Sequence, residues 1–166
     1  MKIKSMSLNA MLSAMLFTIY FIFSQILYLE FVCFTIIILS MTLPKFHSVI
    51  VSVIFVFLVW LSYGIGVWTI MYIIIYPGFA FMLSLIKDQI KNKLSLVATC
   101  GFIMALLVGN LIDLPMLLFS KEITIMYVIL GLKTTLIQAT ICCVSLILFY
   151  DPIFNFLNSK LTNNID

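Results

Sequence analysis

The sequence contains no arginine, a single histidine and few charges of either sign. Charged residues make up 9% of its 166 positions and hydrophobic residues 64%. A soluble domain is about half apolar and about a quarter charged, and a chain of this length could not hide so many apolar side chains from water. Soluble enzymes, nucleic-acid-binding proteins and secreted disulfide scaffolds are therefore excluded. The composition predicts an integral membrane protein that lies in a lipid bilayer and binds no nucleic acid.

Signatures of catalysis and of metal binding are also absent. The four cysteines lie inside apolar stretches and form no CxxC or Cys/His spacing, which is typical of cysteines that pack as small hydrophobic residues. His47 is not accompanied by an HExxH, Walker or Ser/His motif. We therefore expect no catalytic residue, no metal and no cofactor. A membrane-embedded enzyme is the least favoured function because Asp113 lacks a catalytic partner.

The sequence contains long runs of residues without charge. Residues 5–29, 46–86 and 94–112 contain no Lys, Asp or Glu, and 123–150 is interrupted only by Lys133. One helical crossing of a bilayer takes about 20 residues. The run of 41 residues from 46 to 86 must therefore hold two crossings.

The runs predict an all-α, integral membrane bundle of six transmembrane helices in a single domain that covers 1–166. We expect a turn at Gly64-Ile65-Gly66, where two glycines permit the chain to reverse. Pro44 is predicted to end the second helix and Pro152 the sixth. The helices are expected at about 7–24, 27–43, 47–62, 66–86, 94–112 and 123–150.

The placement of the lysines predicts the orientation, because positive residues favour the cytoplasmic side of a membrane. With six crossings and a cytoplasmic N-terminus, the cytoplasmic segments are 1–6, 44–46, 87–93 and 151–166. They carry seven of the nine lysines, whereas the outer loops carry Lys121 alone. Both termini are therefore predicted to be cytoplasmic, and the first helix is expected to be retained rather than removed as a signal peptide.

Four polar residues are predicted to lie at one level near the outer face. They are Glu30 at the start of helix 2, Asn110 and Asp113 at the end of helix 5, and Lys133 in helix 6. Ionisable groups inside a membrane are costly and therefore indicate function. One interpretation is a binding site open to the outside, with Lys133 available to a substrate carboxylate. The other is an ion pair of Lys133 with Asp113 or Glu30 that only ties helices together.

Three further residues have two interpretations each. Gln138 could line the same pocket or donate a simple hydrogen bond between helices. Tyr63 and Trp68 flank the outer turn, where they could anchor the chain at the membrane interface or stack on a ring-containing ligand.

Two elements of the sequence resemble a known family, the substrate-binding S components of energy-coupling factor (ECF) vitamin transporters. One is the Ala-x-x-x-Ala spacing of Ala10 and Ala14, whose small side chains let another helix approach. The other is the final helix, which runs from Gly-Leu-Lys-Thr-Thr-Leu-Ile-Gln-Ala at 131–139 to Tyr-Asp-Pro at 150–152. A six-helix core of under 200 residues with short cytoplasmic loops is also similar to that family.

The resemblance implies a subunit of the bacterial cytoplasmic membrane that captures a vitamin or related micronutrient from outside. Such a subunit docks on a shared transmembrane coupling protein driven by two ATPase subunits, and topples in the membrane to deliver its ligand. Ala10 and Ala14 would face the coupling protein, and the outer ends of helices 5 and 6 would help to form the pocket. The alternative is a small structural or assembly protein, a cell-envelope scaffold or an immunity-type protein, whose polar residues serve only packing.

Overall fold

The computed structural model describes the backbone of residues 3–26, 28–29, 31–44 and 46–165, and the side chains of these residues up to 160. This part of the chain is helical, with six α-helices, one short 3₁₀ helix and no strand. The predicted all-α class and the number of helices are confirmed. The α-helices are α1 (Ile3–Phe23), α2 (Val32–Thr42), α3 (His47–Tyr63), α4 (Val67–Ile90), α5 (Leu94–Leu111) and α6 (Lys121–Ile165), and the 3₁₀ helix is Leu114–Leu118.

The six helices are not six full-length membrane spans. Among the described residues, four segments are long and apolar enough to cross a membrane: Ile3–Phe23, Val67–Ile90, Leu94–Leu118 and Lys121–Lys160. α2 has 11 residues and α3 has 17. At about 1.5 Å per residue, α2 covers little more than half of a hydrocarbon core of about 30 Å. The prediction of six spans is therefore correct in the number of helices but not in their lengths.

α2 is the central helix of the bundle. Each of its residues from Val32 to Met41 is buried, and it contacts all five other α-helices. A helix that is apolar on every side is stable only when other apolar groups surround it. It begins five residues later than predicted and ends as predicted before Pro44, because a residue that precedes proline is pushed to an extended conformation. Leu43 has such a conformation, with φ −78° and ψ 153°.

Short connections alternate between two ends of the bundle. The connections α1–α2, α3–α4 and α5–α6 lie at one end, which we call the tyrosine end. The start of α1, the connections α2–α3 and α4–α5, and the last part of α6 lie at the other, the lysine end. The predicted turn between α3 and α4 is confirmed, since α3 ends at Tyr63 and Gly64 takes a positive φ of 80°. Glycine tolerates this conformation without steric cost.

α6 does not end at Pro152, and this prediction is wrong. The helix continues through the proline to Ile165. Proline removes only one helical hydrogen bond, and other contacts favour the continuation. The rings of Tyr150 and Phe154, one turn apart on α6, stack with centroids 5.3 Å apart. Ile153 and Leu157 pack against the core.

α4 is also longer than predicted. It continues to Ile90 and takes up the first residues of the expected cytoplasmic loop. The lysine end is tied together at this point, because Lys87 Nζ donates to Leu43 O at 2.6 Å and Tyr150 Oη donates to Lys91 O at 2.8 Å.

α1 places polar groups inside the bundle and apolar groups outside. Ser5, Asn9 and Ser13 are buried, whereas Met11 is 64% exposed. Ser13 Oγ lies 2.7 Å from Asn9 O and 3.1 Å from Val51 O, and Asn9 Oδ1 lies 2.9 Å from His47 Nδ1. A helix in water would bury its apolar side chains and expose its polar ones. In lipid the opposite is favoured, because hydrocarbon forms no hydrogen bonds and polar groups find partners only on other helices.

Candidate ligand-binding site

A cavity of about 260 Å³ lies at the tyrosine end. It is enclosed by the last turns of α1 and α5, the α1–α2 connection, the start of α2, and side chains from α4 and α6. Its volume is near the lower limit of roughly 300 Å³ for small-molecule pockets. The lining residues are Tyr20, Phe23, Ser24, Ile26, Tyr28, Leu29, Phe31, Val32, Tyr72, Tyr76, Val108, Gly109, Ile112 and Gln138.

Three tyrosines from α1 and α4 form one wall of this cavity. Tyr72 and Tyr76 are one helical turn apart, with ring centroids separated by 5.2 Å, and Tyr20 lies 6.4 Å from Tyr72 at an interplanar angle of 81°. Phe55, which is fully buried behind them, makes edge contacts at 5.6 Å with Tyr20 and Tyr76. Edge-to-face contacts of this kind are favourable and fix the orientation of each ring. The wall is therefore preformed.

The α1–α2 connection covers the cavity. Phe23 and Phe31, at its two ends, have ring centroids 4.5 Å apart, and Phe31 also contacts Phe34 inside α2 at 5.7 Å. Tyr28 takes a left-handed conformation with φ 72°, which costs roughly 1–2 kcal/mol for a residue other than glycine. The aromatic contacts at both ends hold the connection in the shape that places Tyr28 on the cavity.

The opposite wall depends on a close approach of α5 and α6. A Cβ atom at Gly109 would overlap Cγ2 of Thr135 and lie 3.0 Å from its Cβ, so only glycine fits at this point. Gln138 follows Thr135 by three residues, which places it on the same face of α6. Its side chain lines the cavity, is partly buried and makes no hydrogen bond with the described part of the chain. The described residues therefore do not support the interpretation in which Gln138 donates a hydrogen bond to another helix.

Lys133, the residue that sequence reasoning placed first, is not part of this cavity. Its side chain is exposed on the outer face of α6. No salt bridge joins it to Asp113, although both residues are described. The structure therefore does not support the Asp113 form of the ion-pair interpretation. Glu30, the other predicted partner, lies outside the described residues.

The remaining predicted residues lie around the cavity without lining it. Asn110 Nδ2 donates to Leu106 O of its own helix at 2.7 Å. Asp113 is within hydrogen-bonding reach of the Trp68 side chain and lies beside Gly131. Trp68 also contacts Tyr127 at 6.4 Å, so this group joins the start of α4 to the α5–α6 connection.

Tyr63 supports the cavity from behind. Its ring meets Tyr20 edge to face at 5.8 Å. Of the six described residues among those predicted to bind substrate, Gln138 alone lines the cavity.

Ala10 and Ala14 are exposed on one side of α1. A second, more open depression of about 440 Å³ follows the first turns of the same helix and is lined by α1 residues alone. Within the described part of the chain this face of α1 is exposed, as the predicted docking role requires. The lining residues are Ile3, Lys4, Ser7, Leu8 and Met11.

Comparison with known proteins leaves the family open. No family model, curated protein or solved structure matches this chain. Within the described residues there is also no group of three His, Cys, Asp or Glu side chains that could hold a metal ion.

Sequence reasoning missed the three tyrosines that dominate the cavity. Tyr72 and Tyr76 are four residues apart and therefore share one face of α4. Tyr20 was predicted to lie in the outer part of helix 1, at a similar level. A hydroxyl inside a membrane needs a polar partner, so tyrosines at one depth on two helices were a signal for a shared site.

Proposed function

We propose that this chain is the ligand-binding membrane subunit of an ECF-type importer, and that it captures a vitamin or related micronutrient from outside the cell. The observation that carries the proposal is the preformed aromatic cavity at the tyrosine end, where one amide, that of Gln138, is left without a partner. A bundle that served packing alone would close such a space, since protein interiors contain few voids larger than a water molecule. The function is binding and delivery rather than catalysis.

The orientation follows from the charges. Lys4, Lys87, Lys91 and Lys93 lie at the lysine end, and Lys121 lies at the tyrosine end. The positive-inside rule places the lysine end in the cytoplasm, so the cavity opens to the outside and both termini are cytoplasmic. In this arrangement all six helices pass between the two faces. The shorter α2 lies in the core of the bundle, and the described part of its connection to α1 lies between the start of α2 and the outer face of the membrane.

The exposed face of α1 supports a role in docking on a coupling protein. Ala10 and Ala14 are one helical turn apart on a surface that is exposed in the described part of the chain, and small residues at this spacing allow close packing with a partner helix in lipid. We assign this face to the coupling protein, which would carry the two ATPase subunits.

Ligand extraction tests the proposal directly. Protein purified from its native host in mild detergent should release one metabolite, close to one per chain, when it is denatured and analysed by mass spectrometry. Ile112→Trp, which fills the cavity, should release none. Leu107→Trp places the same ring on the exposed face of α5 and should release as much as the wild type. If wild type and Ile112→Trp release equal amounts, or both release nothing, a structural or assembly role is favoured instead.

Co-purification tests the partner. The double variant Ala10→Trp, Ala14→Trp should lose the coupling protein and keep the ligand, because the added rings block the approach of a helix. Ile74→Trp, at an exposed position of α4, is the matched control and should keep both. Retention of the coupling protein by the double variant would show that another face docks.

A further inference from the structure

A second group of polar and aromatic side chains lies at the tyrosine end, outside the cavity. Trp68 at the start of α4 and Tyr127 of α6 have ring centroids 6.4 Å apart at an interplanar angle of 65°. Both rings are accessible, since Trp68 is 42% exposed and Tyr127 is 41% exposed. Asp113, at the end of α5, is within hydrogen-bonding reach of the Trp68 side chain. We call Trp68, Asp113 and Tyr127 the aromatic corner.

Gly131 keeps the carboxylate of the aromatic corner uncovered on the side of α6. It follows Tyr127 by four residues, so both lie on one face of that helix. A Cβ atom at Gly131 would lie 3.5 Å from Asp113 Oδ2, and a longer side chain at this position would extend over the carboxylate. Three helices therefore bring two rings and one carboxylate together at an accessible place on the surface of the bundle.

Two rings beside a carboxylate are suited to binding an ammonium group. The faces of Trp and Tyr rings attract a cation that lies within about 6 Å of the ring centroid. A carboxylate at the edge of a membrane is costly and calls for a partner. Within the described residues no salt bridge includes Asp113, and the indole that reaches it is neutral. An ammonium group bound here would contact the rings and supply a positive charge to the carboxylate.

The surroundings of the aromatic corner indicate that the ammonium group belongs to a lipid. Asp113 lies near the end of a segment, Leu94–Leu118, that is long and apolar enough to cross a membrane, which is the level of the lipid headgroups. The 3₁₀ helix that follows it contacts α4 and α6. Leu118 of this helix is 86% exposed and Phe119 after it is 70% exposed. Such side chains contact acyl chains, so the neighbourhood matches a molecule with a charged head and an apolar tail.

We propose that the aromatic corner binds the ammonium group of an aminophospholipid such as phosphatidylethanolamine at the membrane surface. The cation packs on Trp68 and Tyr127 and pairs with Asp113, while the acyl chains follow the exposed apolar residues next to it. This site goes beyond interfacial anchoring, which needs the rings but no carboxylate. It is also independent of the ligand in the cavity.

Lipid retention measures the preference for an ammonium headgroup. The full chain is placed in nanodiscs that contain equal amounts of phosphatidylethanolamine and phosphatidylglycerol with the same acyl chains, and native mass spectrometry counts the lipids that remain bound. The protein should retain roughly fivefold more phosphatidylethanolamine than phosphatidylglycerol, because the cation–π contact and the exposed ion pair add together.

Variants assign the contacts. Asp113→Asn removes the charge and keeps the shape of the side chain, and Tyr127→Leu removes a ring, so each should bring the two lipids close to equal retention. Tyr127→Phe keeps the ring and should keep the preference. Glu122→Gln removes an exposed carboxylate from the first turn of α6 and is the matched control, which should also keep it. The unfolding temperature shows that each variant is folded.

Three outcomes would overturn the proposal. Equal retention of both lipids by the wild type would indicate interfacial anchoring only. An unchanged preference in Asp113→Asn, or an equal loss in Glu122→Gln, would show that the carboxylate of the aromatic corner has no specific role. Displacement of the lipid by an equal concentration of soluble glycerophosphoethanolamine would show that the site takes a free amine instead.

Ligand extraction separates this proposal from the proposed function. Asp113→Asn should release the same metabolite from native membranes as the wild type does, in the same amount, because the aromatic corner does not line the cavity. Loss of the metabolite together with the lipid preference would place Asp113 in the ligand site and contradict a separate lipid site. Wild type that carries no metabolite but prefers phosphatidylethanolamine would contradict the proposed function alone.

Discussion

The two ends of the bundle use polar side chains in different ways. At the lysine end, side chains form bonds across helices, as in the pair of Asn9 and His47 and the bonds that Lys87 and Tyr150 donate. The serine hydroxyls in this half that lack a partner among the described residues, those of Ser5, Ser40 and Ser48, are buried in packed protein and do not line the cavity. At the tyrosine end, rings surround a space and Gln138 faces it without a partner. Unpaired polar groups in a membrane are costly. The comparison indicates that one end is built to hold the helices together and the other to hold something else.

The two ends also differ in how α5 and α6 meet. Gly109, at the tyrosine end, is pressed against Thr135, a β-branched side chain that is stiff at χ1. Gly101, nearer the lysine end, faces the tip of Leu146, which is flexible. The wall of the cavity is therefore the less adaptable of the two contacts.

The largest effect is expected from Gly109→Ala. The added methyl group would overlap Thr135, so α5 and α6 must separate, and the free energy of unfolding should fall by about 1–3 kcal/mol. Thermal unfolding in detergent measures it. Gly101→Ala should cost less, and Gly78→Ala, where a Cβ meets no atom within 4 Å, should be tolerated. If Gly109→Ala and Gly101→Ala lower stability equally, the two contacts between α5 and α6 are equally adaptable and this comparison is wrong.

His47→Leu should have the next largest effect. It leaves Asn9, which is 1% exposed, without its side-chain partner, and should lower stability by about 1 kcal/mol. Ligand binding should not change, because the pair lies at the lysine end. Adding Asn9→Leu should restore much of the loss, since two apolar partners need no hydrogen bond. A change in ligand affinity with no change in stability would contradict the separation of the two ends.

Trp68→Phe should have a smaller effect. It keeps an aromatic ring against Tyr127 and removes the indole N–H that lies within reach of Asp113, so stability should fall by about 0.5 kcal/mol. Asp113→Asn keeps an oxygen that can accept from the indole, so it should lower stability less than Trp68→Phe does. If Trp68→Phe instead abolishes ligand binding, Trp68 belongs to the site, as its second interpretation held.

The smallest effect is expected from Lys133→Met. The lysine is exposed and makes no ion pair with Asp113, so both the unfolding temperature and the ligand affinity should remain close to those of the wild type. Loss of ligand with normal folding would restore the substrate role that the sequence suggested. Loss of folding would support a structural ion pair.

Much of the fold could be predicted from the gaps between charges. The number of helices, the turn at Gly64 and the end of α2 before Pro44 follow from local chemistry. The length of α2 does not, because the charge-free run 5–29 extends into the connection before it and neither proline nor glycine marks where that helix begins. The continuation of α6 past Pro152 could not be predicted either, because the packing of Ile153 and Leu157 against the core favours it, and only the folded chain forms that contact.

The site was harder to predict than the fold. Lys133 was predicted to bind substrate because an ionisable group inside a membrane is costly. Its exposed position on α6 depends on how that helix is rotated within the bundle, which the sequence alone does not show. Tyr20 and Tyr72 are 52 residues apart in the chain and show their relation only when α1 and α4 pack together. Gln138 was recognised as polar, yet its lack of a partner is a property of the packed bundle.

Sidedness is the central claim, and cysteine labelling in intact cells tests it most directly. In a chain whose four cysteines are replaced, Ser24→Cys lies on the cavity and Asn92→Cys lies in the α4–α5 connection at the lysine end, and both positions are exposed. A membrane-impermeant maleimide should label Ser24→Cys in intact cells, more slowly when ligand is bound, and should label Asn92→Cys only after permeabilisation. Labelling of Asn92→Cys in intact cells, with Ser24→Cys protected until the membrane is opened, would place the cavity on the cytoplasmic side and contradict capture from outside.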